Sequence, residues 1–307
     1  MKIVYFGTPL FSAAVLRYLL HKKGEIVAVV TQPDRPKGRS GALAPSPVCE
    51  VAKEASIPIF QPEKCSQEYF LQEMANLGAS LYVVVAFGQI LPQKLLDIPP
   101  LGCINVHASL LPLYRGAAPM QRSLMDGVSE TGVSIQKMVR QLDAGDVIAE
   151  AKIPVPLEMT FGELEQELRE LSKPLLLSVI EAFKERIPPA AAQDTTKVTL
   201  APKIETEECE IDWSGSAEKI HNKIRALSPR PGAWCWIEVE GEKRRFKILR
   251  TRLVSTAEIG PVKHFSLAEG TIQCGIGSVQ LLEVQPESKK IMSGVDWLRG
   301  LKASPKF

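Results

Sequence analysis

Leu81-Tyr82-Val83-Val84-Val85-Ala86 has no polar face. A strand with one side in water alternates polar and apolar residues. A run apolar on both sides belongs to a sheet that is covered on both faces. Lys2 to Phe6 reads as another strand, Phe11 to Leu20 as the helix after it, and Ile26 to Thr31 as the next strand. A helix around Val48 to Ala55 precedes a short strand at Ile57 to Phe60, and Cys103 to His107 is a fifth strand. Such alternation defines an α/β domain, a doubly wound and mostly parallel sheet. Sheets of this kind bind ligands in the crevice beyond the carboxyl ends of their strands. Gly7, Gly88 and the segment from Asn105 to Pro112 fall at those ends.

Further along, Leu164 to Glu185 has helical periodicity and is expected to break at Lys173-Pro174. Pro188-Pro189 opens a stretch with few core-forming residues, read as a linker. A helix around Ala217 to Ala226 and the runs Ala233 to Glu240, Arg245 to Leu253, Thr271 to Cys274 and Val279 to Val284 follow. Gly241, Gly260, Gly275 and Gly277 punctuate these runs, which suggests a small β-barrel. The expected organisation is an α/β domain at 1–188, a linker at 189–204 and the β domain at 205–307.

The composition, 45% apolar and 23% charged over 307 residues, is that of a globular protein. No apolar run approaches the ~20 residues of a membrane span. Gly7-Thr8-Pro9 cuts the early run Ile3 to Phe6 too soon for a secretory leader. The six cysteines, at 49, 65, 103, 209, 235 and 274, form no Cys-x-x-Cys pair. Reduced thiols in a cytoplasmic protein are expected. Gly7-Thr8-Pro9 also lacks the Gly-x-Gly-x-x-Gly fingerprint, which argues against a nicotinamide cofactor. Net charge is only +2, but residues 213–307 hold 16 Lys and Arg against 9 Asp and Glu. That surplus suits either a polyanionic partner or a solvated basic face.

Asn105 and His107 stand two apart on a strand and so point to one side. Asn offers a hydrogen-bond donor, and His an imidazole that titrates near neutrality. A buried histidine satisfied by backbone groups fits the same pattern. The turn Leu142-Asp143-Ala144-Gly145-Asp146 carries two carboxylates. One of them beside His107 would orient it, although turn chemistry alone also explains both. A metal site built on His107 and Asp143 would lack a second nearby His or Cys, and none is expected.

Together, Asn105-x-His107, Ser109-Leu-Leu-Pro112, Arg115-Gly-Ala-Ala-Pro119 and Leu142-Asp143-x-Gly-Asp146 resemble the folate-dependent formyltransferases. Phe6-Gly7-Thr8-Pro9, Val84-Val85-Ala86-Phe87-Gly88-Gln89-Ile90-Leu91-Pro92 and Ile211-Asp212-Trp213 extend the resemblance over nearly the whole chain. Thr31-Gln32-Pro33-Asp34-Arg35-Pro36 and the C-terminal domain narrow it to members that act on initiator tRNA. The resemblance implies a Rossmann-like formyltransferase fold followed by an OB-like barrel that holds tRNA. It implies formyl transfer from 10-formyltetrahydrofolate, as co-substrate, to the α-amino group of methionyl initiator tRNA. The implied catalytic residues are Asn105, His107 and Asp143, with Ser109, Leu110, Leu111 and Pro112 lining the folate site. The Asn/His/Asp pattern equally suits a formyltransferase acting on an amino-sugar nucleotide, which would have no use for the basic C-terminal part.

The loop Gln32 to Val48 carries Arg35, Lys37 and Arg39 among Gly, Ser and Pro, and is expected to be mobile until it meets RNA, although composition alone equally describes an ordinary surface loop. Lys243 to Arg252 carries six cations in ten residues. Phe246 and Ile248 are expected to face a core, while Arg245, Lys247 and Arg252 either meet phosphates or guard a solvated edge strand. A monomer is expected, with tRNA and folate as its partners and no membrane.

Overall fold

Two parallel strands, β1 (Ile3–Gly7) and β2 (Ile26–Val30), begin the chain, with α1 (Leu10–His21) between them. A computed structural model describes residues 1–37, 41–239, 241–301 and 304–307. After β2 come the hairpin strands β3 (Arg35–Lys37) and β4 (Ala42–Ala44), then α2 (Pro47–Glu54), β5 (Ile59–Phe60) and α3 (Glu68–Asn76). Next are β6 (Leu81–Val85), α4 (Gln93–Leu96), β7 (Cys103–His107), β8 (Arg115–Gly116) and α5 (Pro119–Met125). β9 (Glu130–Lys137), β10 (Val147–Pro154), α6 (Phe161–Glu185) and β11 (Leu200–Ala201) complete this part. One sheet runs in the order β10-β9-β7-β6-β1-β2-β5. β5, β2, β1, β6 and β7 are mutually parallel, and β9 turns antiparallel to β7.

The central strands β1 and β6 are buried on both faces, as their two-sided apolar sequence requires. Val4, Phe6, Tyr82 and Val84 pack against Phe70, Met74 and Leu95 from α3 and α4. Tyr5, Val83 and Val85 are fully buried on the alternate positions. Each such side chain contributes about 1.5–3 kcal/mol on burial. Gly7 ends β1 for a packing reason, since a Cβ there would lie 1.8 Å from the Ser12 Oγ of α1. Ser46 caps α2, its hydroxyl accepting from the Cys49 N–H at 3.0 Å.

The chain forms two compact units. The first comprises Met1–Gly116, Gly132–Ile153 and Gln166–Leu200, and the second Ala117–Thr131, Pro154–Glu165 and Ala201–Phe307. The second unit holds α7 (Ala217–Leu227), β12 (Ala233–Val239), β13 (Glu242–Ser255), β14 (Phe265–Ser266) and β15 (Thr271–Gln273). β16 (Ser278–Pro286), β17 (Met292–Ser293) and α8 (Gly294–Arg299) follow. The antiparallel order is β12-β13-β16-β15-β14, with β17 on β16. Register shifts along the β13–β16 pair bend the long strand and curl the sheet into a half-barrel. Trp213, Ile224, Phe246, Ile248, Val279 and Trp297 fill it. His221 of α7 is buried in this unit, donating from Nε2 to the Leu157 carbonyl at 2.9 Å, with Nδ1 3.0 Å from the Thr251 hydroxyl. Among the described residues no helix is long and apolar enough to cross a membrane.

Three local expectations are corrected. The helix at 161–185 runs through Pro174 without a break. The Ser172 hydroxyl donates to the Arg169 carbonyl at 2.9 Å, beside the backbone bond that proline cannot make. Residues 189–200 are not a loose tether: Ala191 exchanges backbone bonds with Val147 at 2.8 and 2.9 Å, and the Thr199 carbonyl accepts from the Arg115 N–H at 2.9 Å. The basic loop is paired on its flanks, with Arg35 opposite Ala44 and Lys37 opposite Ala42. Gly38, Arg39 and Ser40 lie outside the described residues.

Candidate active site

The last strand of the parallel set carries the polar residues. On β7, Asn105 and His107 take alternate positions, and their neighbours across the antiparallel pair are Gln136 and Ser134 of β9. Four polar side chains thus share one face of the sheet. Gln136 and Ser134 are buried at 2% and 0% exposure, so each requires a partner.

Those partners build the site. Gln136 Nε2 donates to Asp143 Oδ1 at 2.9 Å, and the Gly116 N–H donates to Asp143 Oδ2 at 2.9 Å. The carboxylate is thereby fixed with Oδ1 3.7 Å from His107 Nδ1. The other ring nitrogen, Nε2, lies 2.9 Å from the Tyr114 carbonyl. A carbonyl only accepts, so Nε2 carries a hydrogen and Nδ1 faces the carboxylate. The imidazole is therefore both satisfied by backbone and aligned with a carboxylate, which joins the two readings of His107. Asn105 is half-buried, and among the described residues its side-chain amide has no hydrogen-bond partner.

Backbone strain supports this arrangement. Tyr114 and Asp143 are non-glycine residues at φ 60° and 50°. Such residues cost about 1–3 kcal/mol each and persist where the surroundings enforce them. At Tyr114 the enforcement includes its N–H, which donates to Thr199 Oγ1 at 2.8 Å. For the Asp143 turn it is Gly145, where a Cβ would lie 1.7 Å from the Lys137 carbonyl oxygen.

Gln193, inside the expected linker, ties these parts together. Its Nε2 donates to the carbonyls of Asp143 and Gly145 at 2.9 and 2.6 Å, and its Oε1 accepts two bonds from Arg115 at 3.0 and 2.7 Å. The signals for these missed residues are faint. Gln136 and Ser134 alternate with Val133 and Ile135 in a short run with weak strand signals, and Gln193 has no local pattern at all.

The run Ser109–Pro112 divides. Ser109 is fully buried, and its hydroxyl donates to the Leu113 carbonyl at 2.6 Å. Leu111 and Pro112 line a cavity of about 350 Å³ together with Val147–Glu150 and Ala191–Asp194. Elsewhere Ile90, Val139 and Leu142 stand 81%, 47% and 62% exposed on loops after β6 and β9, a costly display of apolar surface.

All six cysteines are buried and free, and burial pushes Cys65, Cys103 and Cys235 up to about 12. Thiols so disfavoured as thiolates are poor nucleophiles. Among the described residues no group of three or more His, Cys, Asp or Glu is placed to hold a metal ion.

Of the basic residues, Arg35 is exposed on the β3–β4 hairpin, Arg252 is exposed on β13, and Lys37 lies in β3. Arg245 and Lys247 are half-buried and alternate with the fully buried Phe246 and Ile248, as expected. Lys247 Nζ donates to the Pro231 carbonyl at 2.8 Å.

A model described as formyl transferase matches residues 1–180, and one described as formyl transferase, C-terminal domain, matches 203–302. With the fold, these define the class, a formyl-transferring enzyme. A methionyl-tRNA formyltransferase of Protochlamydia amoebophila is 47% identical over 98% of this chain and 95% of its own. That of Moorella thermoacetica is 41% identical over 99% and 98%. The chain belongs to the methionyl-tRNA formyltransferase family. An N-formyltransferase structure from Helicobacter canadensis, in complex with folinic acid and dTDP-3-aminofucose, shares the fold at a TM-score of 0.65 and 16% identity, covering 92% of this chain and 99% of that one.

Proposed function

We propose that the protein transfers the formyl group of 10-formyltetrahydrofolate to the α-amino group of methionyl initiator tRNA, as a cytoplasmic monomer. The observation that carries this reading is the full-length kinship with methionyl-tRNA formyltransferases, in a chain whose Asn105, His107 and Asp143 converge at one sheet edge. An α-amino group titrates near ~8, so a useful fraction is free to attack at neutral pH. Attack on the formyl carbon gives a tetrahedral oxyanion. Asn105 donates a hydrogen bond to it, and His107 joins by turning its Nε2–H from the Tyr114 carbonyl to the oxyanion; such contacts usually contribute most to rate. Asp143 holds the ring in place and receives the amine proton through water. The oxyanion then collapses, the bond between the formyl carbon and folate N10 breaks, and N10 takes the proton that Asp143 received, with no covalent enzyme intermediate.

Ser109 acts as a structural residue in this scheme, and Leu110, Leu111 and Pro112 remain as folate contacts. The apolar ring system of folate gives a reason for the exposure of Ile90, Val139 and Leu142. Arg35, Lys37, Arg39, Arg245, Lys247 and Arg252 serve RNA phosphates, which supply affinity with little sequence reading. The test is formyl transfer from 10-formyltetrahydrofolate to methionyl initiator tRNA, with an amino-sugar nucleotide as the competing acceptor. Product on the tRNA alone is expected; product on the sugar alone would overturn the reading.

A further inference from the structure

The outer face of β12 and β13 is aromatic as well as basic. Trp234 and Trp236 alternate on β12, opposite Lys247 and Arg245 of β13. The indoles meet edge to face at 5.8 Å. A cation lies over each: the Arg245 guanidinium is 4.1 Å from the Trp234 ring centre, and Lys243 Nζ is 5.0 Å from that of Trp236. Among the described residues the Arg245 guanidinium makes no ion pair, and its Nε and the Trp234 indole N–H are buried without partners. Trp236 is 41% exposed and forms part of the wall of a cavity of about 500 Å³. Lys243, Lys263 and Lys306 line the same cavity, as do Glu210 and Glu238. Glu238 is already neutralised by Lys306 at 3.1 Å.

We infer that this cavity is a nucleotide subsite, in which an unpaired base of the tRNA substrate stacks on Trp236 while its phosphates meet Lys243 and Lys263. The inference rests on the tRNA reading and adds to it a base contact that a basic strand alone does not imply. Guarding an edge strand requires lysines but not an exposed indole beside them. Single-stranded nucleic acids are held by this pairing of aromatic platforms with a cationic groove. A volume of this size accommodates one nucleotide unit.

The test uses the full chain with Trp236→Ala, Trp236→Phe and the Lys243→Ala/Lys263→Ala double variant. Three things are measured: the KM for methionyl initiator tRNA, binding of a labelled single-stranded and a labelled duplex RNA, and binding of cytidine monophosphate. Trp236→Ala should raise the KM about tenfold and weaken single-strand binding to match, while duplex binding holds. Trp236→Phe should restore most of the loss because it keeps a stacking face, and the double lysine variant should show a loss of its own. Thermal melting separates these effects from misfolding. An unchanged KM in Trp236→Ala, with wild-type formylation intact, would refute the subsite and leave the function standing. Cytidine monophosphate binding that depends on Trp236 without any change in tRNA KM would refute the RNA as occupant. Absence of wild-type formylation would refute the function instead, and the single-strand binding would then decide the subsite.

Discussion

At the carboxyl edge of the parallel sheet, the polar groups come from distant parts of the chain. Asn105 and His107 sit on β7, Asp143 in a turn, and Gln193 in an extended segment 50 residues further on. His107 and Asp143 are each held by hydrogen bonds with neighbouring segments, and two residues there sit at positive φ. On the outer face of β12 and β13 the functional groups are neighbours in two adjacent strands, and among the described residues Lys243 and Arg245 form no ion pair. The first region has spent its polar groups on fixing geometry, which suits transition-state stabilisation. The second keeps charge and aromatic surface available, which suits an extended ligand held by many weak contacts. The contrast predicts that substitutions in the first region alter rate, and substitutions in the second alter affinity and its salt dependence.

The largest effect is expected at His107. His107→Ala should lower kcat by about 10²–10³, the usual loss for an oxyanion donor, with tRNA affinity unchanged in a binding titration. A loss in affinity instead of rate would erase the distinction between the regions.

Gln193 sharpens the claim that fixed geometry matters. Gln193→Ala leaves the buried Arg115 guanidinium and two carbonyls unpaired, a cost of about 1–3 kcal/mol in stability. Chemical denaturation should register that loss, and kcat should fall because the Asp143 turn loosens. Full stability together with full kcat would show that the site does not need this brace.

In the second region, Arg245, Lys247 and Arg252 replaced together by Ala should flatten the plot of log affinity for tRNA against log salt by about two to three units. An unchanged slope would reduce the basic strand to a solvated face.

The smallest effect concerns pH. Burial holds the His221 imidazole below its ordinary range, and the neighbouring Arg225 charge acts in the same direction. The Leu157 carbonyl and Glu158 oppose this without reversing it. The unfolded chain therefore takes up a proton that the folded protein resists. Stability is complete above the unfolded value of about 6.5 and falls as pH drops below it toward the lowered folded value. Thermal melts from about pH 7.5 to 5 should show a decline that is shallower in His221→Gln. Parallel profiles for the two proteins would remove this residue from the account.

The two regions also differed in how far sequence alone revealed them. Leu81–Val85 and Cys103–His107 were legible because an apolar run bounded by Gly or Pro leaves few alternatives to a buried strand. The alternation of Arg245 and Lys247 with Phe246 and Ile248 was legible for the same periodic reason. Gln136, Ser134 and Gln193 were not, because their roles depend on which strand becomes the neighbour of β7 and on where residues 189–200 come to rest. Pro174 misled because the cost of proline in a helix is local, while the packing that offsets it is not. Ser109 matched a family motif, yet its hydroxyl is committed to Leu113, a bond no spacing could announce.

Asn105 offers the cleanest test, because among the described residues its amide supports no other group and its loss should remove chemistry alone. The measurement is the single-turnover rate of formyl transfer to methionyl initiator tRNA by Asn105→Ala, with both substrates saturating. The account predicts a rate about 10²–10³ below wild type in a protein that melts at the wild-type temperature. A rate within about twofold of wild type would contradict it, for the sheet edge would then hold no oxyanion donor at this position.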